Sequence, residues 1–156
     1  MLLEYLIAKW LHILSSTLLF GTGLGSAYYM FLGSRTRDPR VAAAVARHVV
    51  RADWIFTSTA VVLQPLSGLY MARIAHLPLS TGWIFWTFVL YFLAGACWLP
   101  VVWIQIRLRR LAEAAVRNNG PLPNEYFRLL GWWTALGVPA FSAVLIIFWL
   151  MVAKPA

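Results

Sequence analysis

The chain has 156 residues, of which 62% are hydrophobic and only 12% are charged. This composition, together with a positive mean hydropathy, excludes an ordinary soluble domain and indicates an integral membrane protein. A net charge of +8 would suggest nucleic-acid binding in a soluble protein. In a membrane protein the position of the charges along the chain explains it more simply, so we expect no nucleic-acid partner.

Four apolar stretches are long enough to cross the roughly 30 Å hydrocarbon core as helices, each of which needs about 20 residues. They cover residues 5–32, 53–74, 82–106 and 128–153 approximately. The sequence therefore predicts an all-α fold, a four-helix transmembrane bundle that forms a single domain over residues 1–156. The first stretch has an acid at Glu4, is too long for a signal peptide and lacks a small-residue cleavage site, so we expect a retained span.

The first span places Lys9 and His12 one helical turn apart in an apolar run. Lys9 is close enough to the start of the span for its ammonium group to reach the interface, so anchoring competes with a catalytic role. His12 lies about seven residues, or roughly 10 Å, inside the span, where an ionisable group is a functional candidate by default. Two interpretations stay open: a neutral imidazole bonded to a Ser or Tyr of another helix, and a haem or metal ligand.

Later in the first span, Gly21 and Gly25 form a G-x-x-x-G pair. Small residues at this spacing allow a second helix to approach closely, so we expect helix packing here and consider a homodimer through Gly21 and Gly25. No strand precedes these glycines, which excludes a nucleotide-binding loop.

The connection after the first span contains its own helix start, with Asp38 as N-cap and Pro39 at the first helical position. The helical pattern then continues without a breaker into the second span. We therefore expect a long second helix with an extension beyond the membrane, on which Arg40, Arg47 and Arg51 attract anionic lipid headgroups at the cytoplasmic face.

Breakers and caps define the rest of the chain. Gln64 and Pro65 predict a kink near the middle of the second span, with an amide that bonds a neighbouring helix or the freed backbone. The third span keeps a helical composition until residues 119–121, so its helix also extends beyond the membrane. The fourth helix is expected to start at Asn124 and to bend near Pro139.

Arginine is concentrated in the first and third connections, whereas Arg73 stands alone between the second and third spans. The first connection contains Arg35, Arg37, Arg40, Arg47 and Arg51, and the third contains Arg107, Arg109, Arg110, Arg117 and Arg128. By the positive-inside rule these two connections face the cytoplasm and both termini face the outer, periplasmic side.

A haem held by two histidines would need a second histidine at the depth of His12. Counting roughly 10 Å inward on the other spans gives Leu66, Tyr91 and Leu145, so the sequence disfavours such a centre within one subunit. His76, in the outer connection, is the other histidine on that side. Three arrangements stay open: His76 folding inward, His12 pairing across a dimer, and a single axial histidine.

Other residues complete the candidate cofactor site. Trp10 near the outer end and Tyr91 at the depth of His12 are candidate cofactor contacts. Cys97 is the sole cysteine, so a covalent haem attachment motif is absent and any haem is held without covalent bonds. Met71 and Met151 lie near the outer face, where with the two histidines they offer an alternative copper site of imidazole and thioether ligands.

The four-span layout resembles the HemJ-type membrane protoporphyrinogen oxidases in "KWLH" of helix one, "GW" opening helix three, "RLRRLA" at its end, "YFRLL" opening helix four and "KP" at its close. This resemblance implies haem b and an essential histidine that corresponds to His12. The family pattern is Gly-Trp-x-His-x-Lys, and this chain has Phe85 in place of the histidine and Thr87 in place of the lysine. Neither side chain can ligate iron through nitrogen or move a proton as lysine does. The departure argues against the oxidase activity and leaves haem binding open.

The stretches "KWLHILSSTLLFGTGLG", "ADWIFTSTAVVLQPLSGL", "CWLPVVWIQIRLR" and "LMVAKP" are similar to recurrent segments of a bacterial family of predicted integral membrane proteins, domain of unknown function 2269. This second resemblance covers nearly the whole chain. It implies a four-helix protein of the bacterial inner membrane and supplies no activity.

The leading hypothesis is an inner-membrane protein that binds haem b or a porphyrin and acts as a haem-dependent oxidoreductase. His12 is then an axial ligand, and Lys9 lies near a propionate or in a proton path. The rival hypothesis is a non-enzymatic membrane subunit that docks partner proteins through Gly21, Gly25 and the helix extensions. A small transporter is disfavoured because paired acids and an inverted repeat are absent from the sequence.

Overall fold

The computed structural model describes residues 2–155, which form four long helices. We number them α1 (Leu2–Arg35), α2 (Pro39–Ile74), α3 (Gly82–Arg117) and α4 (Asn124–Ala153). All four are long and apolar enough to cross a membrane. The predictions of an all-α fold and of four helices long and apolar enough to span a membrane are confirmed.

The helix ends follow local sequence signals. The Asp38 side chain accepts a hydrogen bond from the Arg40 backbone N–H at 2.8 Å, and Pro39 is the first residue of α2, as predicted. After α3 ends, Asn119 adopts a left-handed backbone with φ 47°, which stops the helix where the sequence indicated. Asn124 is the first residue of α4, although no side chain caps that helix.

The helices alternate in direction, so the bundle has two distinct ends. We call the end with connections 36–38 and 118–123 the basic end, and the end with both chain termini and connection 75–81 the terminal end. At the terminal end the Lys154 ammonium group lies 5.7 Å from the centre of the Trp83 ring. α2 and α3 contain 36 residues each, or roughly 54 Å of helix, so both exceed the hydrocarbon thickness of about 30 Å.

The buried apolar core lies toward the basic end. It consists of Met30, Ala42, Ala43, Ala46, Val49, Val101, Ile104, Leu108, Ala112, Ala115, Leu122, Tyr126 and Trp133. The alanines of α2 bring its backbone close to α3, and the Tyr126 hydroxyl joins the Ser34 hydroxyl of α1 at 2.7 Å. Apolar side chains and one buried pair of hydroxyl groups therefore hold all four helices together at this end.

Packing is sparser toward the terminal end. There α1 lies along the Ser58–Ile74 part of α2, and α3 lies along α4. Most residues buried in this half are small, such as Ala8, Ser15 and Ala60. Phe20 of α1 stacks on Phe141 of α4 with ring centroids 5.0 Å apart. The two helix pairs thus meet here through a few side chains rather than through close backbone contact.

Pro65 interrupts the hydrogen bonding of α2 and a side chain from α3 compensates. Proline has no backbone N–H, so the Val61 carbonyl four residues earlier loses its helical donor. The Tyr91 hydroxyl donates a short hydrogen bond to this Val61 carbonyl. The predicted freed carbonyl therefore exists, and Tyr91 satisfies it.

A buried polar network crosses three helices where α2 makes a π-helical turn. This turn, Asp53–Thr57, separates the α-helical parts Pro39–Ala52 and Ser58–Ile74. The Asp53 carboxyl group accepts hydrogen bonds from the Thr57 hydroxyl at 2.8 Å and, in a short contact, from the Gln105 amide of α3. The Gln105 carbonyl oxygen accepts from the Trp133 indole N–H of α4 at 3.2 Å. Gln105 therefore bridges α2 and α4.

Replacing this bridge should weaken the bundle. Gln105→Leu leaves the Asp53 carboxyl group and the Trp133 indole without one partner each, so we expect the free energy of unfolding in detergent to fall by about 2–4 kcal/mol. The matched control is Thr134→Val, because the exposed Thr134 hydroxyl bonds only the Leu130 carbonyl of its own helix. Equal stability of Gln105→Leu and wild type would contradict the bridging role.

The compensation at Pro65 can be measured with a double-mutant cycle. Tyr91→Phe removes the donor to the Val61 carbonyl and should cost about 1–3 kcal/mol of unfolding free energy. Pro65→Ala restores the backbone N–H, so Tyr91→Phe should cost measurably less in that background. Thermal unfolding of the four proteins in one detergent gives the coupling energy. If the effects of Tyr91→Phe and Pro65→Ala on the unfolding free energy are additive, the Tyr91 hydroxyl does not compensate for Pro65 at the Val61 carbonyl.

Candidate functional site

His12 contacts α2 through its imidazole ring. Its Nδ1 atom lies 2.8 Å from the Ser67 hydroxyl oxygen. The Ser67 hydroxyl lies 2.6 Å from the Leu63 carbonyl, to which it donates its single proton. A serine hydroxyl that donates to a carbonyl can only accept from His12, which favours the tautomer with the proton on Nδ1.

The opposite nitrogen of this ring is the chemically available one. With the proton on Nδ1, Nε2 of a neutral imidazole has a free lone pair. Within residues 2–155 the side-chain hydrogen bond seen for the ring is the one at Nδ1. Histidines that bind metals commonly donate their second ring N–H to a fixed acceptor, which orients the ring. The Ser67 contact matches the expected bond to a serine of another helix and also suits a ligand.

Two further residues of α2 contact α1 beside the imidazole ring. The Gln64 amide nitrogen donates to the His12 carbonyl at 2.8 Å and to the Ser15 hydroxyl at 2.6 Å. This confirms the predicted packing role of Gln64. A Cβ atom at Gly68 would lie 3.4 Å from His12 Cε1, an ordinary van der Waals distance, so the imidazole packs against α2 at this residue.

The other predicted site residues do not join this cluster. Lys9 is exposed, and Trp10 has 60% of its surface exposed. Tyr91 already donates its hydroxyl to the Val61 carbonyl. His76 is exposed just after α2 with φ 52°, and nine residues separate it from Ser67, or roughly 13 Å along a helix axis.

The positions that differ from the HemJ pattern contain no replacement ligand. Phe85 is 52% exposed, and the buried Thr87 hydroxyl donates to the Trp83 carbonyl of its own helix at 2.8 Å. In the part of the chain that the structure describes, no three His, Cys, Asp or Glu side chains gather as a metal-binding group. The copper site of His12, His76, Met71 and Met151 stays a prediction.

Gly21 and Gly25 face open space rather than another helix of the chain. A Cβ atom built at either glycine meets no other group within 4 Å. Their predicted role in packing is therefore not fulfilled within the described subunit. A homodimer through these residues stays a prediction.

Two buried polar residues at the basic end were not predicted as candidates from the sequence. Asp53 is 7% exposed and Gln105 is 1% exposed, and neither had an assigned role. Gln105 carries the same signal that singled out Gln64, an amide within an apolar span. Asp53 is an ionisable side chain at the boundary of the second span, which is also a signal for a candidate site.

Comparison with known proteins identifies a family. No curated protein and no solved structure matches the chain. The family model described as "Predicted integral membrane protein (DUF2269)" matches residues 6–155. The four long apolar helices agree with that description. The chain therefore belongs to this family of predicted integral membrane proteins.

Proposed function

We propose that this protein binds haem b or a porphyrin within the membrane and that His12 Nε2 is the axial ligand. The observation that supports the proposal is the Ser67 contact, which favours a ring proton on Nδ1 and a free lone pair on Nε2. Imidazole is a common axial ligand of haem iron, and helical bundles hold such cofactors between their helices.

The chain's own residues would prepare this site before a cofactor arrives. Ser67 holds the imidazole plane, and Gln64 fixes the backbone of α1 beside it. At the terminal end the two helix pairs meet through side chains rather than through closely packed backbone. A flat ring that entered between the pairs would displace these side chains. When bound, haem would supply one-electron redox chemistry, which supports an oxidoreductase role.

Lys9 and the aromatic residues would have secondary roles in this proposal. The exposed ammonium group of Lys9 is one helical turn from His12, where it can neutralise a propionate carboxylate or pass a proton. Trp10 offers an apolar face at the same end. His76 is exposed, so it is the candidate for a second ligand if connection 75–81 folds inward.

The proposed orientation places the basic end in the cytoplasm of a bacterium and the terminal end on the periplasmic side of the inner membrane. Its support is the concentration of arginine in the first and third connections. The exposed Arg40, Arg47 and Arg51 would then face anionic headgroups of the inner leaflet.

A second candidate function is a non-enzymatic subunit. It is favoured by the open space around Gly21 and Gly25, because small residues on a lipid-facing surface allow another transmembrane helix to approach. This function predicts a colourless protein that co-purifies with a partner or a second copy in mild detergent. Absorption spectroscopy therefore separates the two functions.

The haem proposal makes a spectroscopic prediction. Wild-type protein expressed with added haem should show a Soret band, and His12→Ala should lose it or bind haem at least about tenfold more weakly. His48→Ala is the matched control, because His48 is an exposed histidine on the basic half of α2. A wild-type protein without a Soret band would refute haem binding, and a band unchanged in His12→Ala would refute the assigned ligand.

The role of Ser67 can be separated from folding. Ser67→Ala removes the acceptor for His12 Nδ1–H, and loss of such an outer contact typically weakens a metal site by about 10–100-fold. We expect weaker haem retention and a shifted Soret maximum, measured by haem titration. Ser16→Ala is the control, since the Ser16 hydroxyl bonds only the Ile13 carbonyl of its own helix. Identical titrations for both variants would exclude an orienting role for Ser67.

A further inference from the structure

A groove opens between α2 and α3 toward the basic end. Its volume is about 350 Å³, and it is lined by Val50, Arg51, Trp54, Ile55, Ile106, Arg109 and Arg110. Three guanidinium groups therefore share one groove with four apolar side chains. This combination of cationic and apolar groups suits an amphipathic anion.

The three arginines of this groove have no ion-pair partner among the described residues. The acids near the basic end have other partners. Asp38 caps α2, and Asp53 bonds Thr57 and Gln105. Glu113 lies 3.6 Å from Arg47, and Glu125 lies 3.1 Å from Arg107. Across residues 2–155 no ion pair is seen for Arg51, Arg109 or Arg110. A neighbouring groove beside Arg110 contains the Arg107–Glu125 pair and so has an internal counter-ion.

Arg109 shows an unmet hydrogen-bonding requirement at the same place. Its Nε atom is buried and has no hydrogen-bond partner within the described residues. Buried donors are normally paired, so an unpaired one indicates a missing partner. A guanidinium group binds carboxylate or phosphate oxygens through two parallel N–H donors, so the phosphate of a lipid headgroup is a matching anion.

The apolar side of the groove lies where a lipid would lie. Trp54 is 63% exposed and Ile55 is 61% exposed, beside the arginines. Residues 53–74 of α2 cover roughly 33 Å of helix, close to the hydrocarbon thickness of about 30 Å. Trp54 therefore stands at the depth of the headgroups, where tryptophan is enriched in membrane proteins.

We propose that this groove is a binding site for one anionic phospholipid. Arg51, Arg109 and Arg110 bind the headgroup phosphate, while Trp54 and Ile55 contact the first part of an acyl chain. A free phosphate would use the arginines alone and leave the apolar wall exposed. The site is independent of His12 and of haem.

Native mass spectrometry of the full chain in detergent tests this site. Phosphatidylglycerol is titrated into wild type, the groove variant R51Q/R109Q/R110Q and the control variant R35Q/R117Q/R128Q, which loses the same charge from exposed arginines outside the groove. We expect wild type to retain one tightly bound phosphatidylglycerol, the groove variant to bind it at least about tenfold more weakly, and the control to change less than about threefold. Phosphatidylcholine should bind wild type more weakly.

Each alternative has its own outcome. Equal losses in the groove and control variants would overturn the site, because diffuse attraction would then explain the binding. Displacement of the lipid by inorganic phosphate at equal concentration would overturn the phospholipid as occupant. If the triple variant does not fold, the single variants R51Q and Trp54→Ala replace it, since both side chains are exposed. Unchanged phosphatidylglycerol binding in both single variants would overturn the proposal. A Soret band measured on the same samples reports separately on haem.

Discussion

The absence of water from the bilayer interior is the constraint on which this structure depends. A polar group within the hydrocarbon region must find its partner inside the protein. Pro65 shows the effect directly, because it deprives the Val61 carbonyl of its helical donor and a tyrosine from another helix supplies one. The conformation of one helix is thereby tied to the position of its neighbour. The same requirement explains why the polar side chains of this chain so often join two helices.

The two ends of the bundle meet this constraint in different ways. The basic end combines an apolar core of alanine, valine and leucine with the Asp53–Gln105–Trp133 network, so close packing and hydrogen bonding reinforce each other. The terminal end has small buried residues and relies on the contacts of His12 and Gln64 with the neighbouring helix. Polar contacts at this end orient His12 and Gln64, while the packing around them stays sparse.

The ends of the helices were predictable from the sequence, whereas the hydrogen-bond partners of the polar side chains were not. The start of α2 at Asp38 and Pro39 and the stop near Asn119 depend on a few adjacent residues, so a single sequence contains the necessary information. That Gln64 would bond across helices followed from its polarity in an apolar span. Its actual partners, the His12 carbonyl and Ser15, depend on how α1 is rotated about its axis, which the nearly uniform apolar surface of that helix does not specify.

The candidate site was predictable to a similar degree. His12 was identifiable because it is ionisable and deep, and a serine partner was among the expectations. Ser67 itself could not be chosen, since several hydroxyl groups lie on the apolar spans. Asp53 was missed because a carboxylate at a span boundary also suits an interface position. The π-helical turn that begins at Asp53 has no signature in a single sequence.

The bridging position of Gln105 has a consequence for assembly during synthesis. The chain is made from its N-terminus, so α1, α2 and α3 exist before α4. Until α4 arrives, the Gln105 carbonyl oxygen has no indole donor and the Ser34 hydroxyl has no tyrosine hydroxyl beside it. One helix thus completes two hydrogen-bonded contacts on two others. Insertion of α4 therefore closes the bundle, and a chain interrupted before α4 would leave the Gln105 carbonyl oxygen without its indole donor.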